Sequence, residues 1–354
     1  MTLAALQAYR RARHHGAATS LQASGTVRSE ETCAGARTVQ MPLTNKQLRY
    51  YDSEVLRLPA EKRTEYHAQV DNLVANLNKR IKERTGVKIT KVVKAGSFAK
   101  YTILRRTIED PVDVDVVFYV CGRSVDQETF ESLSELIHDA LIGMYPTKEV
   151  EDFELQRKAA KVSFRRSGPS VDAVPVIEDT SKQGYGWQYD SVDGSRVQTC
   201  APCAVKFVRD RKSVDPDFRT LVRLAKRWRN FAELDHLKSF VIELIMAHVL
   251  ATYGREGTVE ERFRRFLWYV ADSGLQERIS FSENKPPFGT FTDPVVILDP
   301  ASSLNNVASR ITDAERAEIV AAANDAWEAA HFASAEDGLG EWKKIFGPGF
   351  KVED

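Results

Sequence analysis

Val112-Asp113-Val114-Asp115-Val116-Val117-Phe118-Tyr119-Val120 decides how this chain is read, because it sets two carboxylates into an otherwise apolar run. In an extended segment successive side chains point to opposite faces. Asp113 and Asp115 then share one face with backbones about 6–7 Å apart, while Val112, Val114 and Val116 turn to the core. Two bare carboxylates this close repel and raise each other's pKa, and two bridging divalent cations roughly 3.5–4 Å apart reverse that cost. For the stretch alone, the plainer alternative is an edge strand with a solvated acidic face.

Two further elements narrow the choice. Gly96-Ser97 ends the apolar run from Ile89 to Ala95 and opens a short helix at Phe98-Ala99-Lys100. Glycine lets backbone N–H groups approach a phosphate closely, and a serine at a helix start adds a hydroxyl donor beside the positive end of the helix dipole. Downstream, Val171-Asp172-Ala173-Val174-Pro175-Val176-Ile177 is an apolar strand with one acid in it. On a neighbouring strand Asp172 completes a three-carboxylate cluster that binds metal, and it is placed to take a proton from an attacking hydroxyl. Each element alone is common in turns and strand edges; the ordered set is specific.

Gly-Ser, then Asp-x-Asp on a strand, then a lone Asp before Val-Pro resembles the nucleotidyltransferase superfamily of DNA polymerase beta type. Leu221 to Trp228, Leu237 to Leu244, and Ile297-Leu298-Asp299-Pro300 leading into Asn305-Asn306-Val307 resemble the C-terminal helical lobe of oligoadenylate synthetases. The combination is similar to cyclic GMP-AMP synthase and to the bacterial cGAS/DncV-like nucleotidyltransferases (CD-NTases), the cyclases of CBASS antiphage systems, from about Met41 to the low 330s. It departs from the common pattern after Gly-Ser: where relatives carry Gly-Thr, this chain has Tyr101-Thr102 and then the basic pair Arg105-Arg106.

The resemblance implies an α+β fold, a polymerase-beta-type palm (a mixed sheet with a helical spine) plus a C-terminal helical lobe, with a cleft between them. It implies that Asp113, Asp115 and Asp172 hold two Mg2+ ions, with Mn2+ as a substitute, and that Gly96 and Ser97 grip the β and γ phosphates. Lys226 matches a family lysine that reaches the triphosphate, and Ser239 a serine that contacts it from the next helix. The residue-level alternatives are a surface lysine with a snorkelling stem and a helix-cap serine. The implied reaction is attack of a ribose hydroxyl on an α-phosphate with loss of pyrophosphate. Nucleoside triphosphates (ATP, GTP, CTP or UTP) are joined into a cyclic di- or trinucleotide that activates a separate effector protein. The alternatives are a linear oligonucleotide synthetase, a terminal nucleotidyltransferase, or a non-catalytic nucleotide-binding module.

Composition agrees without selecting among these. At 354 residues and 43% hydrophobic content the chain can bury a substantial core in one or two domains. Lys+Arg and Asp+Glu are 50 each, a balance unlike proteins that wrap long nucleic acid, so nucleic acid is not expected as substrate. No run approaches the roughly 18–20 apolar residues of a membrane span. Four cysteines are too few and too scattered for a disulfide framework, which points to a cytoplasmic location. Cys200-Ala201-Pro202-Cys203 has the spacing of half a zinc site or a redox pair, but lacks the surrounding pattern of either and reads as a helix start.

Periodicity orders the rest. Residues 1–40 read as a disordered extension or the result of a misassigned start, with Met41 as the working start. Asn45 to Arg84 is helical and broken near Pro59, a spine packed behind the sheet. Strands are expected at Ile89–Ala95, Val112–Val120, Glu154–Phe164 and Val171–Ile177, with a helix from Asp126 to Met144 and a turn-rich stretch from Thr180 to Ser195. Within that stretch Tyr185 and Trp187 are candidates to stack on a base, though loop anchoring is the plainer role. The palm is expected over 41–200 and the helical lobe over 201–354.

Overall fold

The valine-rich strand that carries Asp113 and Asp115 lies inside a sheet, covered on both faces. In the computed structural model, which describes residues 43, 45–105, 112–122, 127–164, 168–333 and 338–353, β1 (Ile89–Lys94) runs antiparallel to β2 (Asp113–Val120), and β2 runs parallel to β5 (Ser170–Glu178). The antiparallel hairpin of β3 (Phe153–Leu155) and β4 (Ala160–Ser163) continues the sheet from β5, giving the order β1-β2-β5-β4-β3. β6 (Gly186–Tyr189) pairs with the end of β5 and with β7 (Arg196–Thr199). Parallel pairing buries a strand on both sides. Val114, Val116, Phe118 and Val120 enter one core, while Val117 and Tyr119 enter a smaller cluster with Val176 and Ala201.

The larger of these cores is roofed by α2 (Ala60–Thr85), which contributes Tyr66, Val70, Leu73, Leu77 and Ile81 at helical spacing, and by α4 (Gln127–Met144). A short helix, α3 (Gly96–Lys100), separates β1 from β2. Glu154–Phe164, expected as one strand, is a hairpin turning at Gln156–Ala159, where the Gln156 amide donates to the Ala159 carbonyl at 2.8 Å. Part of the turn-rich segment is likewise extended, as β6.

The helical spine is divided. α1 (Asn45–Tyr50) continues into a π-helical turn (Tyr51–Leu56), and this stretch buries Leu48, Tyr51 and Leu56 in the helical core rather than behind the sheet. Pro59 breaks the helix before α2, and the fully buried Asp52 carboxylate is held on the helical side by Arg57, Thr220 and both Nε and Nη2 of Arg223. That core is built from α5 (Ala201–Val214), α6 (Phe218–Phe231), α7 (Ser239–Thr252), α8 (Val259–Ser273), α9 (Asp313–Ala333) and α10 (Gly338–Phe346), with Val295, Ile297, Ala308 and Ile311 from either side of the small hairpin β8 (Leu298–Asp299) and β9 (Ser302–Asn306). α7 is apolar almost all round and sits at the centre; α8 begins with a capping box between Thr258 and Glu261. Arg106 and residues 1–40 lie outside the described residues. No helix among the described residues is long and apolar enough to cross a membrane.

Candidate active site

Register brings the acids together. β2 and β5 pair Asp113 with Ser170 and Asp115 with Asp172, so the three carboxylates lie on one face at the start of two adjacent parallel strands. Asp113 keeps 47% of its side-chain surface exposed, and all three acids are half-buried residues. Burial raises the Asp115 pKa, Asp113 adds to it, and the ammonium groups of Lys100 and Lys226 oppose it. Burial pushes Asp172 up to about 7, against Lys161 and with help from Asp115, Asp113 and Glu154.

Lys161 is the residue that sequence reasoning missed. It faces Asp172 across the β4–β5 ladder, and its Nζ donates to Asp113 Oδ1 at 2.9 Å. Asp172 Oδ1 is buried with no hydrogen-bond partner, a costly state for a carboxylate oxygen. As the side chains stand, no three His, Cys, Asp or Glu groups among the described residues close around a single ion. The donor set nevertheless suits a hard dication. It consists of carboxylate oxygens only, two of them with raised pKa and one buried oxygen lacking a partner, beside a lysine in the position of a counter-cation.

Gly96 explains the turn beside them. Its φ is +58°, and a Cβ there would lie 1.6 Å from Asp115 Oδ2, so only glycine lets the turn press against that carboxylate. The Ala95 amide donates to the Asp115 carbonyl at 2.8 Å, fixing the turn to β2. Ser97, half-buried, is the second residue of α3.

Lys226 is near enough to this face for its charge to lower the Asp115 pKa. It is 2% exposed, and its Nζ donates to Thr102 Oγ1 at 3.0 Å, to the Thr102 carbonyl at 3.2 Å and to Glu243 Oε1 at 3.3 Å. Burial lowers its pKa to about 8, opposed by Glu243 and aided by Lys100. Lys100 donates to Glu243 Oε2 at 2.8 Å and Thr102 to Glu243 Oε1 at 2.7 Å. Two lysines, a threonine and one glutamate thus tie α3 and the segment after it to α6 and α7. Ser239 begins α7 one helical turn before Glu243. Glu243, a lone acid in an apolar helix, was the visible signal of this network.

Among the described residues no hydrogen bond joins the other candidates to the three acids. Cys200 caps α5 as expected of a helix start, but its sulfur is also joined to Cys203 in a disulfide, which corrects the expectation that the pair are ordinary helix-start residues. Tyr119 Oη links the Gly184 carbonyl to the Ala201 amide. Tyr185 packs under Lys182, whose Nζ is 3.5 Å from the ring centroid, and Trp187, on β6, is 39% exposed.

A glycine turn against the first of two parallel strands, with three acids on their shared face, defines a nucleotidyltransferase palm. Residues 43–206 match the Second Messenger Oligonucleotide or Dinucleotide Synthetase domain. The CBASS oligonucleotide cyclase CdnC of Escherichia coli strain KTE188 is 61% identical over 314 residues, 89% of this chain and 99% of that protein. The cyclic AMP-AMP-AMP synthase of E. coli strain MS 115-1 is 30% identical over 318 residues, 87% of this chain and 98% of that protein. The structure of E. coli MS115-1 CdnC with ATP superposes with a TM-score of 0.75 at 30% identity, covering 87% of this chain and 99% of that one. Vibrio cholerae DncV, a cyclic AMP-GMP synthase, shares the fold at a TM-score of 0.65 and 12% identity, over 87% of this chain and 98% of that one. The chain belongs to the CBASS oligonucleotide cyclases, the cGAS/DncV-like nucleotidyltransferases.

Proposed function

We propose that this cyclase is Mg2+-dependent, takes ATP, and closes three adenylates into a ring. The observation that carries the metal reading is the Asp115–Asp172 register pair, with Asp113 on the same face and a partnerless buried oxygen on Asp172. The likeness to a cyclic AMP-AMP-AMP synthase supports adenine as the base and three as the ring size. Asp113, Asp115 and Asp172 would hold the ions, whose contribution is to neutralise phosphate charge and to lower the pKa of the attacking hydroxyl.

The chain's own groups do the rest. The Gly96-Ser97 turn receives the β and γ phosphates through backbone N–H groups and the Ser97 hydroxyl. Lys226 and Ser239 contact the triphosphate; Lys226 reaches it by exchanging its Glu243 contact, the longest of its three. In each transfer a ribose hydroxyl oxygen bonds to the α-phosphorus, the bond to pyrophosphate breaks, and the hydroxyl proton passes to Asp172 Oδ1. Asp172 Oδ1, buried and without a hydrogen-bond partner, is the acceptor position open on that face.

A separate effector would respond to the product. The related E. coli MS115-1 CdnC has been solved in complex with HORMA-deltaN, so a HORMA-type protein is included among the proposed partners. The cytoplasm, where nucleoside triphosphates are made, is the proposed location. Incubation with all four ribonucleoside triphosphates and Mg2+, followed by mass spectrometry, tests the reading. A phosphatase-resistant cyclic triadenylate is expected; a phosphatase-sensitive ladder, or a ring of other bases, would overturn it.

A further inference from the structure

We propose that Lys161 is the resident counter-cation of the acid face: it balances the carboxylates while no metal is bound and must leave Asp113 when a dication enters, so it sets how tightly the site takes metal. The inference rests on the reading of Asp113, Asp115 and Asp172 as metal ligands.

Geometry carries it. Lys161 is on β4 and its partner Asp113 is on β2, with β5 between them. Neighbouring strands lie about 4.8 Å apart, so the lysine stem must cross β5 at the position of Asp172, its register partner, for the ammonium to reach Asp113. The ammonium therefore stands in front of the acids, where a cation would sit. Among the described residues no other basic side chain is hydrogen-bonded to these three carboxylates; Lys100 and Lys226 donate to Glu243 instead.

Charge makes the two occupants exclusive. A dication placed among the carboxylates with Lys161 still on Asp113 would meet a like charge within a few ångströms, in a site where burial weakens screening. Lys161 can move: its side chain is 18% exposed, so a route to water exists, and a compact ammonium on a four-carbon stem tolerates reorientation. A lysine on the strand beside Asp172 thus supplies positive charge to the acid face while no metal is bound.

The test uses the full chain without nucleotide, titrated with Mn2+ and read by the electron paramagnetic resonance of free Mn2+. Lys161→Met removes the charge and keeps the stem. An ion pair of this exposure is worth about 1 kcal/mol, so Mn2+ should bind Lys161→Met roughly fivefold to tenfold more tightly than wild type. Lys161→Arg should stay within about twofold of wild type. In EDTA the Met variant should melt below wild type, and saturating Mn2+ should close the gap. Equal or weaker Mn2+ binding by a folded Lys161→Met overturns the inference while leaving the metal site standing. If wild type itself binds no Mn2+ that Asp113→Ala with Asp115→Ala abolishes, the metal reading fails and the inference falls with it.

Discussion

Replacing Gly96 with alanine separates the chemistry of the site from the stability of the fold. A methyl at this position would start 1.6 Å from Asp115 Oδ2, and real contacts of this kind stay beyond 3.0 Å, so the carboxylate or the turn must shift by about 1.5 Å. The left-handed φ of +58° adds the penalty of an L side chain in that region, about 1–2 kcal/mol. Stability should therefore fall only modestly. A misplacement of about 1 Å in a catalytic group can cost on the order of a hundredfold, so Gly96→Ala should lose at least that factor in pyrophosphate release from ATP. The assay pairs a continuous pyrophosphate measurement with a thermal melt, because unfolding would mimic the kinetic loss. Turnover within threefold of wild type would refute the claim that the turn must lie flush against Asp115.

Removing both acids of β2 together, in Asp113→Ala with Asp115→Ala, should abolish product and keep the melting temperature near that of wild type, since the lost Lys161–Asp113 pair is offset by relief of repulsion among the acids; detectable cyclic product from the purified variant would reject their role. In metal-free buffer Asp172 keeps its proton to about pH 7 when folded but only to about pH 4 when unfolded, so its contribution to stability is fully present below pH 4 and is lost as pH rises to 7. Asp172→Asn should remove that slope, raising the free energy of urea unfolding over wild type at pH 8 by on the order of 2 kcal/mol after solvent screening, with little change at pH 4; parallel pH profiles would contradict the shift. Glu243→Ala leaves Lys100 and Lys226 buried without their shared carboxylate and should cost about 3–5 kcal/mol in urea unfolding, partly recovered when Lys226→Met is added; a loss below about 1 kcal/mol would mean that the network carries little.

The parts of the site that follow from alternation were legible. The period of two in Val112–Val120 places Asp113 and Asp115 on one face, and the lone Asp172 in a second apolar strand joins them once the strands pair in parallel. Lys161 was not legible, because its partner lies two strands away and only the register of three strands puts them in reach. Lys226 read as a candidate contact from its helix, but its bonds to Thr102 and Glu243 span 124 and 17 residues and depend on how α6 and α7 pack. The division of the spine has the same origin. Periodicity shows that Leu48, Tyr51 and Leu56 are apolar-facing, not which core covers them, and the decisive contact, Arg223 with Asp52, is 171 residues long. The hairpin at Gln156–Ala159 carries no glycine or proline, so nothing local marked the turn.

Anomalous scattering from crystals grown with Mn2+ and a non-hydrolysable ATP analogue tests the central claim most directly. Two peaks should appear about 3.5–4 Å apart, within roughly 2.0–2.4 Å of carboxylate oxygens from Asp113, Asp115 and Asp172, beside phosphate density at Gly96-Ser97. Nucleotide bound in the cleft with its Mn2+ held away from these three side chains would contradict it.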